Sequence, residues 1–230
     1  MVAPMITLFI LGALQGAIGW LMVKSGLVPE KYFVGHVELT THFIAALGLL
    51  CYVLWFALSL LVSPGKMIIN QPLKNFLLLI ASVLVVQLVY GGFMAGLKAA
   101  VSAPTWPDIN GKMIPPSMNE LSPWPQNLVN NNIMVHFIHR GIAYLLFILI
   151  GYWWIVSRRI KGNVLFGRLR NAVLLLVLLQ VVLGIFTVLN AVDPVRLAWL
   201  GVSHQFIAMM LLIVLICLLY TLRKKPLPGT

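Results

Sequence analysis

The 230-residue chain is 61% hydrophobic and only 9% charged, with a formal net charge of +11. Soluble domains carry roughly a quarter charged residues, so one integral membrane domain is expected. The positive charge does not mark a nucleic-acid binder, because the Lys and Arg residues stand in short loops between apolar runs, where membrane topology places them.

At about 20 apolar residues per crossing, six helical spans are expected, at about 4–24, 37–62, 75–98, 132–156, 171–191 and 199–222, making an all-α, polytopic transmembrane bundle. The first span follows Met1 almost directly, without a basic flank or a small-residue cleavage site, so no cleavable signal peptide is expected. It carries Leu14-Gln15 with Gly19 four residues after the glutamine; the third span carries Gln87 and Gly91, and the fifth Gln180 and Gly184. A polar residue one turn before a small one lets membrane helices approach closely, though chance recurrence of common membrane residues is the plainer alternative. The second, fourth and sixth spans carry His42, His139 and His204. Cys51 and Cys217 fall inside apolar spans and read as buried, inert thiols.

Lys66, Lys74, Arg158, Arg159, Lys161, Arg168, Arg170, Arg223, Lys224 and Lys225 fill one set of loops and the tail with ten basic residues and no acid. The five acids, Glu30, Glu38, Asp108, Glu120 and Asp193, belong to the other side. The positive-inside rule then puts both termini in the cytoplasm. Each histidine-bearing span enters from the outer face, with its histidine one to two turns in, so the three imidazoles are expected to share a layer near the outer leaflet. The long outer loop, 99–131, holds Trp106, Trp124 and six prolines, Pro104, Pro107, Pro115, Pro116, Pro123 and Pro125, and is expected to form a lid over that layer.

Ionisable groups inside a membrane helix are costly and usually line an internal cavity. Neutral imidazole is a good iron ligand, and a macrocycle held between two helices needs one histidine from each at matching depth. His139 and His204 meet that condition, with Ala143 and Ala208 one turn on, as Ala46 follows His42. Arg140 is placed for a propionate carboxylate, and His136, one turn before His139, for a propionate or for orienting a ligand. The bland alternatives are a histidine bonding across helices, a snorkelling Arg140 and an interfacial His136. His36 is expected in the outer loop. A His-lined cation path would have no intramembrane acid relay except Glu38. The histidines also repeat: spans one and two resemble five and six, whereas the third and fourth have no counterpart ahead of the first, which points to a partial duplication or to two helices lost from the front.

The run Leu14-Gln15-Gly16-Ala17-Ile18-Gly19-Trp20-Leu21-Met22-Val23-Lys24-Ser25-Gly26-Leu27, the loop Thr105-Trp106-Pro107-Asp108-Ile109-Asn110-Gly111, and the pairs His139-Arg140 and His204-Gln205 resemble the haem A synthase (Cox15/CtaA) family over essentially the whole chain. The resemblance implies an eight-helix protein of two pseudosymmetric halves that oxidises the C8 methyl of haem O to the formyl of haem A by successive hydroxylations. Carried over, His139 and His204 match the ligands of a haem b cofactor, and His42 matches one ligand of the substrate haem and is the candidate catalytic residue. Residues 1–62 then correspond to the remainder of the substrate half and 63–230 to the four-helix haem b half. Against that pattern the sequence lacks counterparts of the first two helices, hence the second substrate-haem histidine and an outer-loop glutamate, so the chain alone is expected to be incomplete. Candidate partners are haem O, the bilayer, haem O synthase, a separate two-helix segment or subunit, and further copies of the chain. The competing functions are a cytochrome b-type electron carrier and a haem transporter or chaperone.

Overall fold

The computed structural model describes residues 2–223, which leaves Lys224 and Lys225 of the expected basic tail outside the described residues. Six long helices carry the chain: α1 (Val2–Lys24), α2 (His36–Leu61), α3 (Gln71–Gly96), α6 (Asn132–Ser157), α7 (Val164–Leu189) and α8 (Pro194–Thr221). Two single-turn helices, α4 (Ala99–Ser102) and α5 (Asn127–Asn130), lie in the long loop, and the described residues form no β-strand. A 26-residue helix is about 39 Å long, enough to cross a hydrocarbon layer of about 30 Å. All six are apolar enough to do so.

Four of the six start on an Asx cap, which satisfies backbone N–H groups that the first turn leaves open. Asn70 accepts from Leu73, Asn131 from Ile133 and Met134, Asn163 from Phe166, and Asp193 from Val195 and Arg196. Each such cap contributes about 0.5–2 kcal/mol. The caps also correct the expected boundaries. Asn163 starts α7 well before the expected position near 171, so Arg168 and Arg170 sit in helix rather than in the loop. Asp193 and Pro194 start α8 early, so His204 lies ten residues, nearly three turns, into its helix instead of one to two. His42 and His139, six and seven residues in, fall within the expected depth.

The chain packs as three hairpins of long helices, α1 on α2, α3 on α6 and α7 on α8, with α2 joined to α3 and α8. The core comes from α3, α6, α7 and α8, around Leu77, Ile80, Ile150, Trp153, Phe166 and Leu215, with Leu47 of α2 added and nothing from α1. This core is one-sided. Every buried residue of α8 lies at or beyond Ala208, and α6 buries nothing between His136 and Leu146. The turns of α6 after His139 and of α8 before His204 thus bury no side chain, whereas α3 buries Leu84 and Leu88 on either side of Gln87.

The long loop is ordered by its own polar network. Asn127, fully buried, donates to the Leu121 and Trp124 carbonyls and accepts from the Leu121 N–H. Asn131 donates to the Ser117 carbonyl and to Asn127. Paired in this way, the polar groups at the foot of α6 are satisfied, as buried amides must be. The loop packs on α6, where Asn132 at the start of the helix donates to the Ser102 hydroxyl.

Candidate functional site

His139 of α6 and His204 of α8 face each other with ring centroids 6.5 Å apart and ring planes at 69°. Two metal–imidazole bonds of about 2 Å each, plus the ring radii, span roughly 6 Å, so the pair has the spacing for one ion between the rings. The Nδ1 of each ring is buried without a hydrogen-bond partner. Each Nε2 faces a glutamine of the neighbouring helix, Gln87 at 3.3 Å and Gln180 at 3.1 Å. The glycine one turn after that glutamine lies under the ring. A Cβ on Gly184 would stand 3.1 Å from His204 Cε1, and one on Gly91 would stand 3.5 Å from His139 Cε1.

His42 is held the same way on the first hairpin. Gln15 Nε2 lies 3.2 Å from its Nδ1 and also donates to the His42 backbone carbonyl at 3.1 Å, and a Cβ on Gly19 would come within 2.9 Å of its Cε1. Among the described residues only His139 and His204 form a histidine ring pair, so the expected layer of three imidazoles resolves into a facing pair and a separate ring between α1 and α2.

Arg140, next to His139, ties the long loop to the site. Its Nη1 donates to the Pro107 and Asp108 carbonyls at 2.9 and 2.6 Å; its Nη2 donates to the Thr105 carbonyl at 3.0 Å and lies 2.9 Å from His136 Nε2. His136 is 1% exposed, so it belongs to this clasp and not to the interface with headgroups. The loop turn is closed by the Gly111 N–H donating to Asp108 Oδ1 at 2.8 Å, with Asn110 and Gly111 at positive φ. That N–H, helped by Thr105 and Arg140, holds the Asp108 carboxyl below its ordinary range. His36 starts α2 rather than lying in the loop, with its ring against Phe93.

The family model described as cytochrome oxidase assembly protein, COX15-CtaA, matches residues 1–216. The chain belongs to this family. Proteins named Heme A synthase from Nitrosospira multiformis, Methylobacterium radiotolerans and Rhodopseudomonas palustris are 37%, 36% and 38% identical over 95%, 88% and 89% of the chain. The matches cover 61%, 54% and 54% of those relatives, so the chain spans less than two thirds of their length. Membership of the COX15-CtaA family, together with six helices long enough to cross a bilayer, makes it a multi-pass membrane protein.

The donor set of this COX15-CtaA chain suits an iron that brings its own macrocycle. Among the described residues no group of three or more His, Cys, Asp or Glu side chains could hold a bare metal ion. Two opposed imidazoles are what the axial positions of a haem require. The orphaned Nδ1 atoms, the glycines beneath the rings and the absence of buried apolar side chains in α8 before Ala208 all fit a flat group at this level. Sequence reasoning found the histidines from their rarity in apolar spans. It found the glutamine–glycine pairs as a helix-packing repeat, but not that each pair holds a histidine ring. It could not find the loop carbonyls that Arg140 binds, since a backbone acceptor has no residue signature.

The clasp carries a prediction. Hydrogen bonds from a charged donor contribute about 1.5–3 kcal/mol each, and removing Arg140 also strips buried His136 of its partner. Even if only one bond's worth is realised across this half-buried contact, Arg140→Ala should raise the rate of proteolysis in the long loop about tenfold in detergent-solubilised protein. Cleavage at the wild-type rate would mean that the loop is held elsewhere.

Proposed function

We propose that the chain is the haem-binding core of a haem A synthase, which oxidises the C8 methyl of haem O to a formyl group. The observation that carries the proposal is the facing pair His139 and His204, set in the loop-side layer of the four-helix unit with one ring nitrogen of each unengaged. In this reading residues 63–230 would hold haem b through His139 and His204, and residues 1–62 would contribute the substrate side, with His42 as the residue that would bind haem O. Bound haem b supplies one-electron redox chemistry. The chain's own part would be to hold the two imidazoles opposed, to keep bulk water out with the 99–131 loop, and to fasten that loop through Arg140 and His136. Four N–H bonds of Arg140 already go to the loop and His136, so a propionate would share this guanidinium with the loop carbonyls. The apolar walls suit the isoprenoid tail of haem O.

Membranes of a host that makes haem O but no haem A should gain haem A when the chain acts in its working assembly, read by mass after haem extraction. His42→Ala should abolish that gain while leaving the spectrum of the His139–His204 haem in place. An intact spectrum with no haem A from the wild-type assembly would leave a membrane electron carrier as the better reading.

The orientation in the inner membrane belongs to the same proposal. The basic residues of the 62–70 and 158–163 connections support an orientation with both termini in the cytoplasm and the 99–131 loop outside. A reporter active only in the cytoplasm should work when fused after Thr230 and fail when inserted at Asn119. The reverse pattern would invert the bundle.

A further inference from the structure

The proposed haem site leaves one recurring element without a task. In three hairpins a glutamine and the glycine four residues on meet a histidine of the next long helix: Gln15 and Gly19 with His42, Gln87 and Gly91 with His139, Gln180 and Gly184 with His204. Close helix packing alone accounts for the glycines. It does not account for the glutamines, whose side-chain oxygens are all three buried with no hydrogen-bond partner. Leaving such a group unsatisfied costs about 1–3 kcal/mol, and a leucine would pack there without that cost.

We propose that Gln87 and Gln180 are positioning residues for the imidazoles of His139 and His204, accepting the ring N–H through the amide oxygen when the opposite ring nitrogen is an iron ligand. The inference rests on the reading of those histidines as haem ligands. A neutral imidazole has one N–H and one lone pair. If the lone pair goes to iron, the nitrogen facing the glutamine carries the hydrogen and needs an acceptor. In the present conformation the amide turns Nε2 toward the ring, at 3.3 Å for Gln87 and 3.1 Å for Gln180, and its oxygen has no partner. A half-turn about the last side-chain torsion exchanges the two amide atoms, so that the oxygen accepts the ring N–H and the amide NH2 takes the position the oxygen now holds. Among the described residues neither Gln87 nor Gln180 makes another side-chain hydrogen bond that this turn would break. Gln15 does, since its Nε2 also donates to the His42 carbonyl at 3.1 Å, so its amide is tied in the donor orientation and it falls outside the proposal. The three hairpins thus share a scaffold but present different chemistry to their histidines: a reversible partner in the facing pair, a fixed donor at His42.

The consequence is electronic as well as geometric. A carbonyl accepting the ring N–H fixes the tautomer and raises the basicity of the ligand, and removing such a partner typically lowers metal affinity 10- to 100-fold. A more basic imidazole favours ferric over ferrous iron, so loss of the acceptor should raise the midpoint potential. In purified haem-loaded protein, Gln87→Leu and Gln180→Leu should bind haem about 10- to 100-fold more weakly, titrate at a higher potential and shift the low-spin ferric EPR spectrum. Gln87→Glu and Gln180→Glu, which keep an acceptor, should hold the potential at or below the wild-type value. A role in packing alone would leave potential and EPR unchanged in the leucine variants, and that result would overturn the proposal. His139→Ala and His204→Ala serve as the control on the underlying reading: if they keep the wild-type spectrum, the ligand assignment has failed, whereas if they lose it while the glutamine variants do not change, only the positioning role has failed.

Discussion

Replacing His139 or His204 with alanine will remove the low-spin haem spectrum of the purified protein, and the two variants will behave alike. The reason is the facing geometry: the rings stand 6.5 Å apart, so in the proposed site each would supply one of the two protein bonds to the same iron, with no other ring paired to replace it among the described residues. His136, the nearest other imidazole in sequence, is bonded to Arg140 and fully buried in the clasp. Loss of a ligand must weaken haem binding by more than the 10- to 100-fold that follows removal of a mere partner of a ligand. The reduced α-band should therefore largely vanish in either variant. His42→Ala should keep it, because His42 sits on a different hairpin with Gln15 and Gly19. An unchanged spectrum in both pair variants would end the assignment, and a spectrum lost in His42→Ala would mean that the separate ring belongs to the same site.

A second large effect is expected at Gly184. Its Cβ would stand 3.1 Å from His204 Cε1, 3.6 Å from Nδ1 and 3.8 Å from Nε2, so even alanine presses on the ring, and the two further methyls of valine cannot be accommodated unless the imidazole moves. Overpacking of this kind costs about 1–3 kcal/mol. The helical gain from replacing glycine, about 1 kcal/mol, does not offset the upper part of that range. Gly184→Val should lose haem about as His204→Ala does, and Gly184→Ala should bind it more weakly. At Gly91 the same reasoning changes sign: a Cβ at 3.5 Å from His139 Cε1 is ordinary contact, so Gly91→Ala should keep its haem and unfold at the same or a slightly higher temperature. Haem content after purification and thermal unfolding in detergent measure both. A normal spectrum in Gly184→Val would show that the ring does not depend on the space over that glycine.

The number of spans, the all-α class and the three histidine-bearing helices were legible in the residues alone, because a bilayer imposes one long apolar run per crossing and makes an imbedded imidazole conspicuous. The starts of α7 and α8 were not, since Arg168, Arg170 and Arg196 read as loop by polarity although Asn163 and Asp193 cap helices that run through them. The repeat of Gln15–Gly19, Gln87–Gly91 and Gln180–Gly184 was visible as spacing, but spacing within a helix does not say which residue of another helix lies opposite. That depends on how two helices rotate and slide as they pack. Packing alone brings His139 and His204 face to face, sets His42 apart from them, and puts each glutamine and glycine against a ring. It also gives Arg140 its partners, because the Thr105, Pro107 and Asp108 acceptors are backbone carbonyls, identical in every residue until the loop folds them toward one guanidinium.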